Sequence, residues 1–184
     1  MKRLLATTLV VSSFTFIRSE PPSQTKPDFN RVESFTLGAT YHDVYHVLLK
    51  RYDAEKIDRR RWSYDGMEKG RAFLLFDRQE NKRIDFDFYE DKLISILCVQ
   101  LREDGFEEAE RLRKQWTDLY GDPVITPAEE TAGAEPVIWV ARWTDGNVQR
   151  FLSPFMVDWT RRGVSYGLKR TDHIDDGPHT IHYY

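Results

Sequence analysis

His42-Asp43-Val44-Tyr45-His46 is the stretch whose residue types and spacing come closest to a known chemistry. Histidines four apart share one side of a helix and can hold a zinc ion, with an acid beside the first acting as general base on a bound water. The acid here is Asp43, one methylene shorter than the Glu of the metalloprotease helix, which alters its reach to that water. A third ligand would come from elsewhere, with His173, His179 and His182 as candidates. The plainer reading gives Asp43 a capping role and leaves both histidines beside a buried stripe. Asp85 and Asp87 sit two apart on one strand face and have the types of an acid and base pair. Alternating acids are also what the wet face of an edge-proximal strand carries. Cys98 is the only cysteine, so no intramolecular disulfide can form, and its apolar strand makes it a buried thiol. The sequence contains no Gly-x-Ser-x-Gly elbow and no glycine-rich phosphate loop, and it points to no cofactor. A non-catalytic protein is the reading that follows, with a zinc hydrolase on His42 and His46 as the alternative.

Aromatic residues carry the binding chemistry. Trp62, Tyr64, Trp139, Trp143, Trp159 and Tyr166 all fall on predicted strands. Exposed on one sheet face, they would stack on sugars or anchor a protein partner; under the helices, they would be core. The docking candidates are Trp62, Tyr64, Trp143 and Trp159, flanked by Arg61, Arg142 and Arg161. Each of these Trp residues has an Arg one or two positions away, which also suits stacking within the fold. The tests for a sugar ligand and for a protein partner both begin with exposure.

The elements that must position these groups are legible. Ile84, Phe86 and Phe88 alternate with Asp85, Asp87 and Tyr89, the period of a strand with one wet face. Glu90, Asp91 and Lys92 supply a turn, and Leu93 to Leu101 returns as a strand apolar on both sides, with Leu93, Leu97, Val99 and Leu101 facing one way. Asp104 then reads as an N-cap with Glu107 as its box partner, ahead of a stripe of Phe106, Ala109, Leu112, Trp116 and Leu119 that Gly121 ends. Upstream, Thr40 and Asp43 open a helix that buries Tyr41, Val44, Val47, Leu48 and Tyr52. Arg59 to Arg61 reads as a solvated turn, Ala72 to Phe76 as a buried strand, and Val124 to Glu135 as a surface loop. Strands over Val137 to Trp143 and Val148 to Leu152 follow, then a hairpin of Phe155 to Thr160 with Val164 to Leu168, and Pro154 marks an edge or bulge. The fold class is therefore α+β: an antiparallel sheet of six or more strands with two amphipathic helices on one face. Residues 37–101 and 104–170 repeat the order helix, then strands, as half-repeats of one domain over 31–170.

Composition bounds the rest. The 184 residues carry a net charge of -3, are 40% hydrophobic and 14% aromatic, and mix their charges without a basic stripe, which disfavours nucleic acid. Lys2-Arg3 ahead of the apolar run Leu4 to Ile17 has the form of an export signal, with cleavage after Ser19, and that run is too short for an ordinary membrane span. Residues 20–30 are a proline-rich linker and residues 171–184 a tail without periodicity. Export to a periplasm or cell surface is the expected location.

Leu37-Gly38-Ala39-Thr40 leading to Val44 and Leu48, Phe88-Tyr89-Glu90-Asp91-Lys92-Leu93, and Leu119-Tyr120-Gly121-Asp122-Pro123 together resemble small exported bacterial domains. Those are the small outer-membrane assembly lipoproteins and the β-lactamase-inhibitor-protein-like domains. The resemblance spans residues 37–123 and implies a helix-on-sheet adaptor of the cell envelope without catalysis. This chain has neither the lipidated cysteine of the lipoproteins nor the disulfides of the inhibitor, and no functional residue carries over.

Overall fold

The computed structural model describes residues 28–64, 67–127, 139–157, 161–172 and 182–183, with backbone alone for 62–64, 67–69 and 182–183. A small hairpin of β1 (Arg31–Val32) and β2 (Phe35–Thr36) leads into α1 (Tyr41–Leu49). Four strands follow: β3 (Ile57–Tyr64), β4 (Met67–Asp77), β5 (Lys82–Tyr89) and β6 (Lys92–Leu101). Then come α2 (Gly105–Tyr120), β7 (Val124–Pro127), β8 (Trp139–Asp145), β9 (Val148–Met156), β10 (Arg162–Arg170) and β11 (His182–Tyr183). Nine of these strands form one sheet in the order β11-β3-β4-β5-β6-β10-β9-β8-β7, and the pairings are antiparallel. The α+β class with more than six strands and two helices is as the alternation predicts.

Register decides which face each residue occupies, because directly paired residues in antiparallel strands point the same way. One row crosses the sheet through Ala141, Leu152, Tyr166, Cys98, Ile84, Leu75 and Ile57. Against this face α1 buries Val44 and Leu48 over the β3 to β6 half, and α2 buries Ala109 and Trp116 over the β8 to β10 half. Both helices thus cover the same face, and each buried Val or Leu is worth about 1.5–3 kcal/mol. Tyr41 stacks on Phe73 at 4.2 Å and meets Phe88 edge-on at 5.1 Å. The opposite face carries no helix among the described residues.

Local sequence explains the ends of the elements. The Thr40 hydroxyl accepts the Asp43 N–H at 3.1 Å and donates to the Asp43 carboxylate at 2.7 Å, closing α1 as a capping box. The β5–β6 turn is two residues long, with Glu90 and Asp91 both at positive φ, the hand that matches strand twist. Gly121 ends α2 at φ +89. The start of α2 departs from expectation: Asp104 makes no side-chain cap, because Arg102 takes both its carboxylate oxygens at 2.8 and 3.0 Å.

Several other readings are corrected. Asp87 pairs with Ser95 but Phe88 pairs with Leu93, so Ile94 is an extra residue and Leu93 joins the face of Ile96 and Cys98. Arg59 to Arg61 is not a turn but part of β3, with Arg59 over the Tyr45 ring and Arg60 bonded to Asp58. Ala72 to Phe76 lies in β4, yet Phe76 is 57% exposed rather than buried. Val124 to Pro127 is the edge strand β7 rather than loop. Pro154 lies inside β9, buried and paired with Val164, and tolerated there because the β8 ladder stops at Leu152. His182 and Tyr183, read as tail, pair with β3. The export segment, the linker as far as residue 27, the turn Asp65-Gly66 and the insert beyond Pro127 lie outside the described residues.

Candidate functional site

The helix-free face is built from the alternate residues of the same strands. One row runs Arg142, Phe151, Gly167, Leu97, Asp85, Leu74 and Asp58. Strand β10 places glycines here, and the neighbouring strand fills the space. A Cβ on Gly163 would lie 2.4 Å from the Phe155 ring, and one on Gly167 2.8 Å from the Phe151 ring and 2.0 Å from the Ile96 carbonyl oxygen. The two phenylalanines therefore lie down across the glycines, packing this face without helices.

Asp85 and Asp87 belong to this face, but not as acids on wet strand surface. Strand β5 is interior, between β4 and β6. Asp85, flanked by Leu74 and Leu97, is only 7% exposed and takes both arms of Arg83, Nε to Oδ1 at 2.8 Å and Nη2 to Oδ2 at 2.5 Å. Burial pushes the Asp87 carboxyl up to about 6, the neighbouring Asp85 charge adds to that, and Ser95 and Arg83 pull it partly back. An acid at that value can exchange protons near neutrality, yet its companion is committed to an arginine fork.

Beside them the face opens into a groove of ≈ 340 Å³. Its floor and walls are Phe76, Val99, Leu101, Phe155 and Val157, and Arg78, Arg83 and Arg161 stand around it. Phe76 reaches this position because β4 alternates Ala72, Leu74 and Phe76 on the helix-free side, opposite Asp87, Asp85 and Arg83 of β5.

The covered face has its own polar groups. Lys82, buried, donates to the Glu33 carboxylate, to which the Tyr166 hydroxyl also donates at 3.2 Å. Burial pulls the Lys82 ammonium down, but its hydrogen bond to Glu33 together with the Tyr166 and Cys98 interactions outweighs that, and the group ends above its ordinary value. Burial pushes the adjacent Cys98 thiol up to about 12, with the Glu33 charge adding, which leaves it inert as a nucleophile. Arg150 is 3% exposed; it donates to the carbonyls of Phe29 at 2.9 Å and Arg31 at 2.7 Å and stacks on Trp116 and Tyr120, both at 4.8 Å. Desolvation lowers its pKa. The two cations fasten residues 29–33 onto the sheet.

Of the docking set drawn from the sequence, the side chains of Arg61, Arg142, Trp143 and Arg161 are described, and Trp143 and Arg142 face opposite ways. Trp143 is buried under α2, its indole N–H donating to the Gly121 carbonyl at 2.8 Å and its ring against Trp116. It is core, because β8 turns its odd-numbered residues to the covered face. Arg142 points the other way and bonds Thr126 at 2.5 Å, pinning β7. Arg61 is exposed on β3, and Arg161 borders the groove. The side chains of Trp62, Tyr64 and Trp159 lie outside the described residues, as do those of His173, His179 and His182. His42 and His46 do come together on α1, while Asp43 spends its carboxylate on the cap. Sequence reasoning missed Phe76; the signal was the strand pattern of β4, since a strand apolar on both sides need not be covered on both.

No family model matches the chain, and no curated protein and no solved structure matches it significantly. Among the described residues no helix is long and apolar enough to cross a membrane.

Proposed function

We propose that this chain is a non-catalytic binding protein of the bacterial cell envelope that takes a protein partner on the helix-free face. The observation that carries the reading is Phe76, a large aromatic 57% exposed beside an apolar groove that Arg78 and Arg161 border. Aromatic and Arg side chains concentrate interface energy, the first by desolvating area and the second by directional contacts to acids. The groove has room for one or two partner side chains, so an apolar residue next to an acidic one is the complementary epitope. Export, on the strength of Lys2-Arg3 and the run to Ile17, brings the chain to its partner.

The order of elements supports a finer reading: two half-repeats over 37–101 and 104–170, each a helix followed by a four-stranded run, joined where β6 pairs with β10. In that reading the partner surface is shared by both halves, with Phe76, Val99 and Leu101 from the first and Phe155, Val157 and Arg161 from the second.

The test places a photo-crosslinking amino acid at position 76 and, as control, at Leu49, which is exposed on α1. A single partner crosslinked from position 76 and not from 49, released by Arg161→Glu, is the expected result. Equal labelling from both positions, or none, overturns the reading. Retention on purified peptidoglycan that survives changes around the groove would favour the sugar-binding alternative.

A further inference from the structure

We propose that His42 and His46 form an open two-histidine site for a divalent transition-metal ion, on the exposed side of α1. The site lies across the sheet from the groove and stands or falls independently of the partner reading.

The two Nε2 atoms are 3.1 Å apart and the ring centroids 4.2 Å. With metal–nitrogen bonds of about 2.0–2.1 Å, that separation gives a nitrogen–metal–nitrogen angle of about 98°. The value lies between the right angle of a tetragonal site and the wider angle of a tetrahedron, so one ion fits both rings with little movement. The two rings share a hydrogen bond. An ion replaces it when both rings carry their proton on Nδ1 and turn both Nε2 lone pairs to one point.

The fold holds the pair in this arrangement. Val44 and Leu48 are buried to 2% and 0% exposure, which fixes the rotation of α1 and keeps positions 42 and 46 in solvent. The Thr40–Asp43 capping box fixes its start. Asp43 in the first turn also offsets the positive end of the helix dipole, which would otherwise repel a cation.

Asp43 is not the missing general base, because its Oδ2 receives the Thr40 hydroxyl. Among the described residues no third His, Cys, Asp or Glu joins the two rings. The remaining coordination positions are left for water, for a donor outside the described residues, or for one from another molecule. Imidazole ligands with open positions suit copper, nickel and zinc, and the affinity order expected is Cu²⁺ above Ni²⁺ and Zn²⁺. Calcium and magnesium, which take oxygen ligands, should not bind.

Equilibrium dialysis of the full chain against CuCl2, NiCl2, ZnCl2 or MgCl2, with metal content read by mass spectrometry, tests the site. The expected result is one copper per chain, weaker nickel and zinc, and no magnesium. His42→Ala and His46→Ala should each weaken copper on the order of tenfold or more, because each removes the intramolecular advantage of the second ring. Both positions are exposed, and circular dichroism is the check that the variants fold. Broadening of amide signals by substoichiometric Cu²⁺, centred on residues 42–46, locates the ion. Copper bound equally well by the His42→Ala/His46→Ala double variant, or no copper bound by the wild-type chain, overturns the proposal.

Discussion

The two faces of the sheet are made by the same strands and differ in how they satisfy what they bury. Under the helices, the row from Ala141 to Ile57 is apolar except for Tyr166, and the two cations there, Lys82 and Arg150, each close a contact to the N-terminal segment. On the helix-free face, Asp85 lies between Leu74 and Leu97 and Asp87 between Ala72 and Ser95, and Phe151 and Phe155 cover glycines in place of a helix. One face is closed by added elements. The other is closed partly by its own side chains, and it remains open at Phe76. A surface that needs to meet a partner can be left in that second condition, whereas a core cannot.

Three changes should separate the faces. Phe86 is fully buried against Phe35 on the covered side, so Phe86→Ala should remove about 3–5 kcal/mol of stability, read as a lower urea midpoint. A loss under about 1 kcal/mol would mean that the covered face is not the principal core. Asp87 has the opposite sign. In the native chain it keeps its proton up to about 6, whereas an ordinary aspartate releases it near 3.8. Between those values the native state binds more protons than the unfolded one, so stability falls as pH rises through this window and stays lowered above it. Asp87→Asn should thus gain about 1–2 kcal/mol at pH 7.5 and little at about pH 3, below the window, measured by urea titration at the two pH values. A loss at pH 7.5 would show that the charged carboxylate is the stabilised form. The smallest effect belongs to Phe76→Ser, within about 0.5 kcal/mol of wild type in thermal midpoint terms, since an exposed ring gives up little on removal. A larger drop would place Phe76 among the core residues and take the groove with it.

Most of the architecture was legible in local patterns. Thr40 with Asp43 gave the first helix its start, Gly121 gave the second its end, and the Phe88 to Leu93 hairpin followed from alternation broken by Glu90-Asp91. What escaped depended on partners distant in sequence. The capping role assigned to Asp104 was lost to Arg102, a half-buried competitor that pattern does not weigh. The face of Leu93 turned on a single extra residue, Ile94, visible only in the pairing. At the candidate site two neighbours in sequence part company in the fold. Trp143 beside Arg142 resembles a hot spot, yet alternation in β8 sends the two to opposite faces. His42 and His46 were placed correctly because a helix sets their relation by itself. The groove was not legible, because it joins β4 to β9 across strands whose order no local pattern gives.

The seam between β6 and β10 also governs how the chain must assemble. Strand β6 acquires one neighbour at once from β5, but its other edge waits for β10, and the whole of α2 and three further strands come off the ribosome first. During that interval an apolar strand stands with a row of unsatisfied amides and carbonyls, a template for pairing with another unfinished copy. The first half is thus born adhesive. Its safety rests on a chaperone, on slow synthesis at low concentration, or on the speed with which the second half arrives to close it.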